Sequence, residues 1–302
     1  MSSADVEQAV IRAGDLDMNV LLSGPPDGDL IVLVHGFPEL GHSWRHQLMA
    51  LGAAGYRCAA PDVRGTGGTD APPRVEDYDA VALTGDVVAL IDALGAERAV
   101  VVGHDTGADT VWRAAVMHPQ RVRAVAGLSA PAVPRSPEPP LGLLHRFLGD
   151  EFHFVWFQEP GVAEAALSAD VRRTITTREA WSPAWALRDD EPPTPRFMTE
   201  EDLAVYVEAY ERTGFTGGLN WYRNLDRNWE IAARYDGATI DQPALFITGS
   251  RDPVMRFAPP SAMDGYVTDV EVVIVEGAGH WVQQQRPDEV NGALLAFLAR
   301  LN

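Results

Sequence analysis

Short runs of apolar residues alternate along the chain with segments whose apolar positions recur at helical spacing. The runs that predict strands are 30–34, 56–60, 99–102 and 122–128. The segments between them that predict helices are about 43–54, 79–94 and 105–117. Strands that are apolar on both faces, separated by helices, are typical of a parallel sheet covered by helices on both sides.

The alternation stops at Pro131, where five prolines occur within residues 131–140. A stretch rich in aromatic residues and helical patterns follows, and strands are predicted again at 243–248 and 270–275 before a final helix at about 287–301. We therefore predict an α/β fold, with a mostly parallel central sheet flanked by helices. The core comprises residues 1–131 and 238–302, and residues 132–237 form an inserted helical cap.

Composition narrows the function classes. The 302 residues include 24 basic and 43 acidic side chains, and the formal net charge of −19 disfavours nucleic acid and anionic membrane surfaces as partners. No apolar run is long enough to span a membrane and no signal peptide is evident, so a cytoplasmic location is expected. The single Cys58 excludes a disulfide framework or a cysteine metal site and is expected to be a core thiol. A homodimer is compatible with the sequence.

The segment Gly103-His104-Asp105-Thr106-Gly107 ends one predicted strand and opens a helix. Glycines on both sides of a strand-end residue permit the sharp turn that exposes a nucleophile at the top of a sheet. A serine that attacked carbon would leave an ether that water cannot cleave, whereas Asp105 would leave an ester that water can. The segment thus indicates alkyl transfer followed by ester hydrolysis, although an aspartate here is equally suited to be a helix N-cap.

Two further strand ends carry an acid and a histidine. Asp252 follows the strand at 243–248, and His280 follows the strand at 270–275. The order nucleophile, acid, histidine is that of α/β-hydrolases. His280 is predicted to be the base that activates water, and Asp252 is predicted to orient its imidazole. The backbone amides of Phe37 and Thr106 are the predicted oxyanion donors.

Several motifs resemble those of the epoxide hydrolases of the α/β-hydrolase fold, the soluble and microbial type with a helical cap. The stretches that carry the resemblance are His35-Gly36-Phe37-Pro38-Glu39, Gly103 to Gly107, Phe157 to Gly161, Gly217 to Asn224 and Gly279-His280-Trp281. They span nearly the whole chain. The resemblance implies an enzyme that converts an epoxide to a vicinal diol with no metal or organic cofactor.

The resemblance also implies roles within the cap. Tyr222 matches the tyrosine that hydrogen-bonds the epoxide oxygen, and His153 stands where a second cap tyrosine is common. His153 is therefore expected to be the second donor. Trp156, Phe154 and Trp221 are expected to contact substrate, and these aromatic residues, together with Trp181 and Trp185, suggest that the small-molecule epoxide is apolar or aromatic.

Three alternatives remain open at this point. A haloalkane or haloacid dehalogenase uses the same aspartate, ester and histidine, but Thr106 stands where haloalkane dehalogenases carry a tryptophan, and Thr106 and Asp109 stand where fluoroacetate dehalogenases carry arginines. An acyl-ester hydrolase is disfavoured because Asp105 would form an anhydride. A non-catalytic receptor of this fold would not need all three of the predicted catalytic residues.

Overall fold

The computed structural model describes residues 6–176 and 197–301. Its strands, numbered in chain order, are β1 (Glu7–Ala13), β2 (Leu16–Ser23), β3 (Leu30–Val34), β4 (Arg57–Pro61), β5 (Ala99–His104), β6 (Val122–Leu128), β7 (Ala244–Gly249) and β8 (Val270–Val275). Within the described residues they form one eight-stranded sheet in the order β1-β2-β4-β3-β5-β6-β7-β8. The pairs β1·β2 and β2·β4 are antiparallel and the others are parallel. The prediction of a mostly parallel sheet is confirmed.

Helices follow the strands as the spacing predicts. In the described ranges they are α1 (Arg45–Ala53), α2 (Ala80–Ala93), α3 (Thr106–Met117), α4 (Pro140–Leu148), α5 (His153–Trp156), α6 (Val162–Ser168), α7 (Val171–Thr176), α8 (Glu200–Thr213), α9 (Thr216–Arg223), α10 (Leu225–Ala232), α11 (Val282–Gln285) and α12 (Pro287–Ala299). Each predicted core helix is present, with ends that differ by a few residues. A 3-10 turn at Gly41–Trp44 precedes α1.

The hairpin of β1 and β2 was not predicted from the sequence. Gly14 and Asp15 connect the two strands, and Gly14 has a φ of 60°. A glycine is favoured there because two-residue hairpin turns need positive φ. The hairpin adds the two antiparallel strands at one edge of the sheet.

The core lies on both faces of the sheet. Successive residues of β5 contribute to opposite sides, with Val101 in one buried cluster and Val100 and Val102 in the other. The first cluster also includes Leu90 and Ile91 of α2, and the second includes residues of α1 and α12. This two-sided burial is why the central strands carry uninterrupted apolar runs. Cys58 is fully buried in the second cluster, as predicted.

The chain divides into two compact units. The first contains residues 1–63, 83–134 and 237–302, and the second contains 64–82 and 135–236. The sheet belongs to the first unit, and α4 to α10 belong to the second. The division into a core of 1–131 and 238–302 and a cap of 132–237 stays a prediction. In the part of the chain that the structure describes, no helix has the length and apolar character needed to cross a membrane.

Local signals set the helix ends in the second unit. α8 begins with a capping box, in which the Thr199 side chain accepts a hydrogen bond from the Asp202 amide and the Asp202 carboxylate accepts one from the Thr199 amide. The reciprocal bonds satisfy amides that a helix start leaves unpaired. α8 ends at Thr213, and the C-cap residue Gly214 has a φ of 65°.

Candidate active site

Asp105 lies at the sharp turn between β5 and α3. Its φ of 54° places it in the left-handed region, which is strained for a residue with a side chain. The turn is tight enough that a Cβ on Gly103 would come within 2.2 Å of the Gly107 carbonyl oxygen, and a Cβ on Gly107 within 2.3 Å of that of Val34. Asp105 occupies the N-cap position, but its side chain makes no capping hydrogen bond. The carboxylate is therefore available for another purpose.

The histidine and the second acid meet Asp105 at the carboxyl end of the sheet. His280 Nδ1 lies 3.1 and 3.2 Å from the two carboxylate oxygens of Asp252 and donates to this carboxylate. His280 Nε2 lies 3.3 Å from Asp105 Oδ2, an ion-pair distance without the geometry of a hydrogen bond. Asp252 also accepts a bond from the Val254 amide. The structure thus brings together all three residues that the sequence places at strand ends.

Burial and charge set the ionisation of these residues. Burial alone would lower the pKa of His280, but the carboxylates of Asp252 and Asp105 outweigh it and raise the pKa to about 10. Burial alone would raise the pKa of Asp105, but His280 and the Phe37 amide hold it well below its usual value. Burial likewise opposes ionisation of Asp252, whose pKa the charge of His280 lowers. At neutral pH the site holds an imidazolium between two carboxylates.

This charge arrangement predicts a specific pH dependence of stability. The imidazole of unfolded His280 has a pKa of about 6.5, below the folded value of about 10. Between these two pH values the folded state binds a proton that the unfolded state has lost. The contribution of this proton to the free energy of unfolding is therefore complete below pH 6.5 and is lost as the pH rises towards 10. We expect the free energy of unfolding to fall by up to about 1.4 kcal/mol per pH unit more in the native protein than in His280→Gln.

Urea unfolding at several pH values between 7 and 10 measures this difference in slope. The absolute stabilities of the two proteins need not match, because only their pH dependence is compared. Parallel slopes in the two proteins would show that His280 does not hold an extra proton in the folded state.

The loop after β3 supplies a donor to Asp105. The Phe37 amide donates a hydrogen bond of 3.1 Å to Asp105 Oδ1, and the Phe37-Pro38 peptide bond is cis. Thr106 is the first residue of α3, where backbone amides have no partner within the helix. One carboxylate oxygen therefore faces an amide donor while the other faces His280.

The second unit brings two of its predicted residues together. The rings of His153 and Tyr222 lie with centroids 6.1 Å apart, and that of Phe154 lies 4.8 Å from Tyr222. Tyr222 is 2% exposed and packs against Phe157 as well. α5 carries His153 and α9 carries Tyr222, so packing between these helices places the pair.

The remaining predicted substrate contacts are buried aromatic residues. Trp156 is buried and packs against Phe157, and Trp221 is buried beside Tyr222 on α9. Trp181 and Trp185 lie outside the described residues.

Three buried polar residues at the site were not foreseen. His104 Nε2 and Ser129 Oγ both donate to the His280 carbonyl oxygen, at 2.9 and 2.5 Å. Ser129 follows β6 and, like Asp105, has positive φ, at 63°. The third is Glu39, which is 2.6 Å from the His104 ring. Glu39 belongs to the motif that follows β3 and His104 to the motif that ends β5, but only the folded chain shows that both are buried.

The described residues contain no group of three or more His, Cys, Asp or Glu side chains that could hold a metal ion. The functional groups that lie together are the Asp105 carboxylate, the His280 imidazole bonded to Asp252, and the Phe37 amide. Such a set suits attack on carbon followed by hydrolysis of the resulting ester.

Sheet order and site geometry both define an α/β-hydrolase, and comparison with known proteins agrees. The family model of the alpha/beta hydrolase fold matches residues 29–287. Epoxide hydrolase A of Mycobacterium tuberculosis is 43% identical over 97% of this chain and 98% of its own length. Epoxide hydrolase 1 of Siraitia grosvenorii is 38% identical over 97% of this chain and 98% of its own.

Solved structures give the same result. The crystal structure of epoxide hydrolase A from Mycobacterium thermoresistibile superposes with a TM-score of 0.92 at 44% identity, covering 98% of each chain. This chain therefore belongs to the epoxide hydrolases of the α/β-hydrolase fold. These similarities do not favour the dehalogenase alternative.

Proposed function

We propose that the protein hydrolyses an epoxide to a vicinal diol through a covalent alkyl ester on Asp105. The observation that carries the proposal is that the two oxygens of this carboxylate have different partners. Oδ1 accepts a hydrogen bond from the Phe37 amide, and Oδ2 faces the imidazole of His280, which bonds to Asp252. Family membership supports the same reaction. Substrate and water are the only reactants that the scheme needs.

In the first half of the reaction, Asp105 Oδ2 attacks an epoxide carbon and the ring C–O bond breaks. Negative charge develops on the epoxide oxygen, which needs hydrogen-bond donors. We assign that role to Tyr222 and His153, whose rings lie together in the second unit. The oxygen takes a proton from one of these donors and becomes a hydroxyl, and Asp105 becomes a neutral ester.

Loss of the Asp105 charge changes His280. In the resting enzyme two carboxylates raise the pKa of its imidazole, and esterification removes one of them. The imidazolium then gives up its proton to solvent more readily, and solvent returns a proton to the side chain that protonated the ring oxygen. His280 thereby becomes a neutral base at the stage when a base is required.

In the second half, His280 Nε2 takes a proton from water, whose oxygen attacks the ester carbonyl carbon. The charge builds on Oδ1, where the Phe37 amide already donates and where we place the Thr106 amide as the second donor. When the bond between Cγ and Oδ2 of Asp105 breaks, Oδ2 leaves with the product and takes the remaining proton of that water. The products are the diol, the Asp105 carboxylate and the His280 imidazolium of the resting state.

The buried aromatic side chains of the second unit indicate which class of substrate to expect. Trp156, Trp221 and Tyr222 are buried in the second unit, and Phe154 packs edge-on against Tyr222. Aromatic side chains favour apolar or aromatic ligands. We therefore propose an epoxide with an apolar or aromatic substituent.

A single turnover in ¹⁸O-labelled water tests the ester directly. With enzyme in excess over styrene oxide, the first oxygen that water delivers should appear in the Asp105 carboxylate, and mass spectrometry of the peptide that contains Asp105 detects it. Direct attack of water on the epoxide would place the label in the diol alone and would overturn the proposal.

Tyr222→Phe tests the assigned oxygen donor. Removing the hydroxyl should slow formation of the ester by about 100-fold, the lower part of the range for a positioned acid, with little change in ester hydrolysis. Stopped-flow measurement of single turnovers separates the two steps. Tyr210→Phe is the matched control, because Tyr210 is also buried in the second unit and stacks on Phe215. Equal rates in the two variants would remove Tyr222 from the scheme.

A further inference from the structure

Glu39 is a carboxylate that is 1% exposed and surrounded by donors. Its Oε1 accepts from the side-chain amides of Gln283 and Gln284, at 3.2 and 2.7 Å. Its Oε2 lies 2.6 Å from His104 Nδ1 and accepts a long bond of 3.4 Å from the Gly36 amide. The oxygens thus face donors on both sides, which is the environment of an ionised carboxylate.

The partner histidine is also enclosed by acceptors. His104 is fully buried, and its Nε2 lies 2.9 Å from the His280 carbonyl oxygen. A carbonyl oxygen can only accept, and so can the ionised Glu39 carboxylate on the other side of the ring. Both ring nitrogens of His104 must therefore carry hydrogen, which makes the pair a buried ion pair. Burial would raise the pKa of Glu39, but the His104 charge holds it below its usual value.

This ion pair joins the three segments that carry the proposed chemistry. Glu39 stands two residues after Phe37, whose amide faces Asp105. His104 directly precedes Asp105 in the chain. The third segment carries His280, whose carbonyl accepts from His104, and continues to the two glutamines that bond to Glu39.

We propose that Glu39 and His104 are positioning residues, which hold the backbone of His280 so that its imidazole lies between Asp252 and Asp105. The inference rests on the proposed function, because positioning matters only if His280 acts on the Asp105 ester. A buried ion pair is a poor source of stability, since desolvation of the two charges offsets their attraction. Its role in placing three segments explains better why two charges are kept in the interior.

The geometry predicts which step depends on the pair. Ester formation needs the Asp105 carboxylate, which its own turn holds in place. Ester hydrolysis needs His280 at a set distance and angle, and a misplacement of about 1 Å can cost about 100-fold in rate. Loss of the ion pair should therefore slow hydrolysis more than ester formation, so that the alkyl ester accumulates.

The experiment compares Glu39→Gln, His104→Gln and the double variant with the native enzyme in single turnovers with styrene oxide. We expect each single variant to hydrolyse the ester about 10- to 100-fold more slowly, with an adduct on Asp105 visible by mass spectrometry. The double variant should be no slower than the slower single variant, because both substitutions break one chain of contacts. Asp62→Asn is the matched control, a buried carboxylate that accepts from the Asn19 side chain and the Gly41 amide.

The protonation of His104 provides a measurement that needs no turnover. In ¹⁵N spectra of the native protein at pH 7, both ring nitrogens of His104 should show the shifts of protonated nitrogen, and a single unprotonated nitrogen would overturn the proposal. Hydrolysis at the native rate in Glu39→Gln, or an equal loss in Asp62→Asn, would overturn it as well. If the native enzyme forms no ester on Asp105, the proposed function fails instead, and the ¹⁵N result alone decides the charge of the pair.

Discussion

Asp105→Ala is expected to lower kcat/KM for epoxide hydrolysis by at least about 10⁴-fold, the scale seen when a nucleophile is removed from a hydrolase triad. In the proposed scheme the carboxylate supplies the bond to carbon, and neither Asp252 nor His280 can replace it. His280 is placed to remove a proton from water that attacks an ester, and without Asp105 no ester forms. Initial rates of diol formation across a range of substrate concentrations measure the loss.

Asp109→Ala is the matched control for this substitution. Asp109 lies on the same helix one turn further along, is exposed, and pairs with Arg113. It should keep near-native activity, since exposed ion pairs contribute little to stability. Circular dichroism shows whether Asp105→Ala keeps its fold. A folded Asp105→Ala with a hundredth or more of native activity would show that Asp105 is not the nucleophile.

Much of the sheet could be predicted because burial on both faces leaves a plain mark in the sequence. The strands β3, β6 and β8 have the predicted bounds, and β6 is buried at six of its seven positions. The hairpin of β1 and β2 was missed because it lies at the sheet edge. Val10 of β1 is 70% exposed, and β1 carries polar residues beside apolar ones. The pair Gly14-Asp15 between two such segments was the signal available for it.

The site was predictable where a residue's neighbours in sequence determine its place. Asp105, Asp252 and His280 each follow a strand of a parallel sheet, and the ends of such strands meet at one edge. Glu39, His104 and Ser129 could not be found in this way. A charged or polar residue beside a turn is usually exposed. Only the packing of β3, β5, β6 and the loop after β8 shows that His104 and Ser129 are enclosed at the His280 carbonyl, with Glu39 beside His104.

His280→Gln is expected to separate the two halves of the reaction. Ester formation should continue, since the Asp105 carboxyl group is still present and the Phe37 amide still faces Oδ1. Ester hydrolysis should slow by about 10⁴-fold, the upper end of the contribution of a positioned base, so that nearly all of the enzyme is trapped as the ester. A burst of one equivalent of epoxide consumed per active site, followed by almost no diol, is the expected time course.

Detection of the trapped ester distinguishes most clearly between the proposed scheme and direct attack of water on the epoxide. Mass spectrometry should show His280→Gln heavier by the mass of one substrate at the peptide that contains Asp105. His118→Gln is the control, because His118 bonds to Thr84 at the far end of α3 and should turn over like the native enzyme. If His280 acted instead by activating water for direct attack on the epoxide, the variant would consume no epoxide and carry no adduct. The two schemes therefore predict opposite outcomes for the same substitution. The raised pKa of His280 favours the first, since a base that two carboxylates keep protonated becomes free only after one of them is esterified.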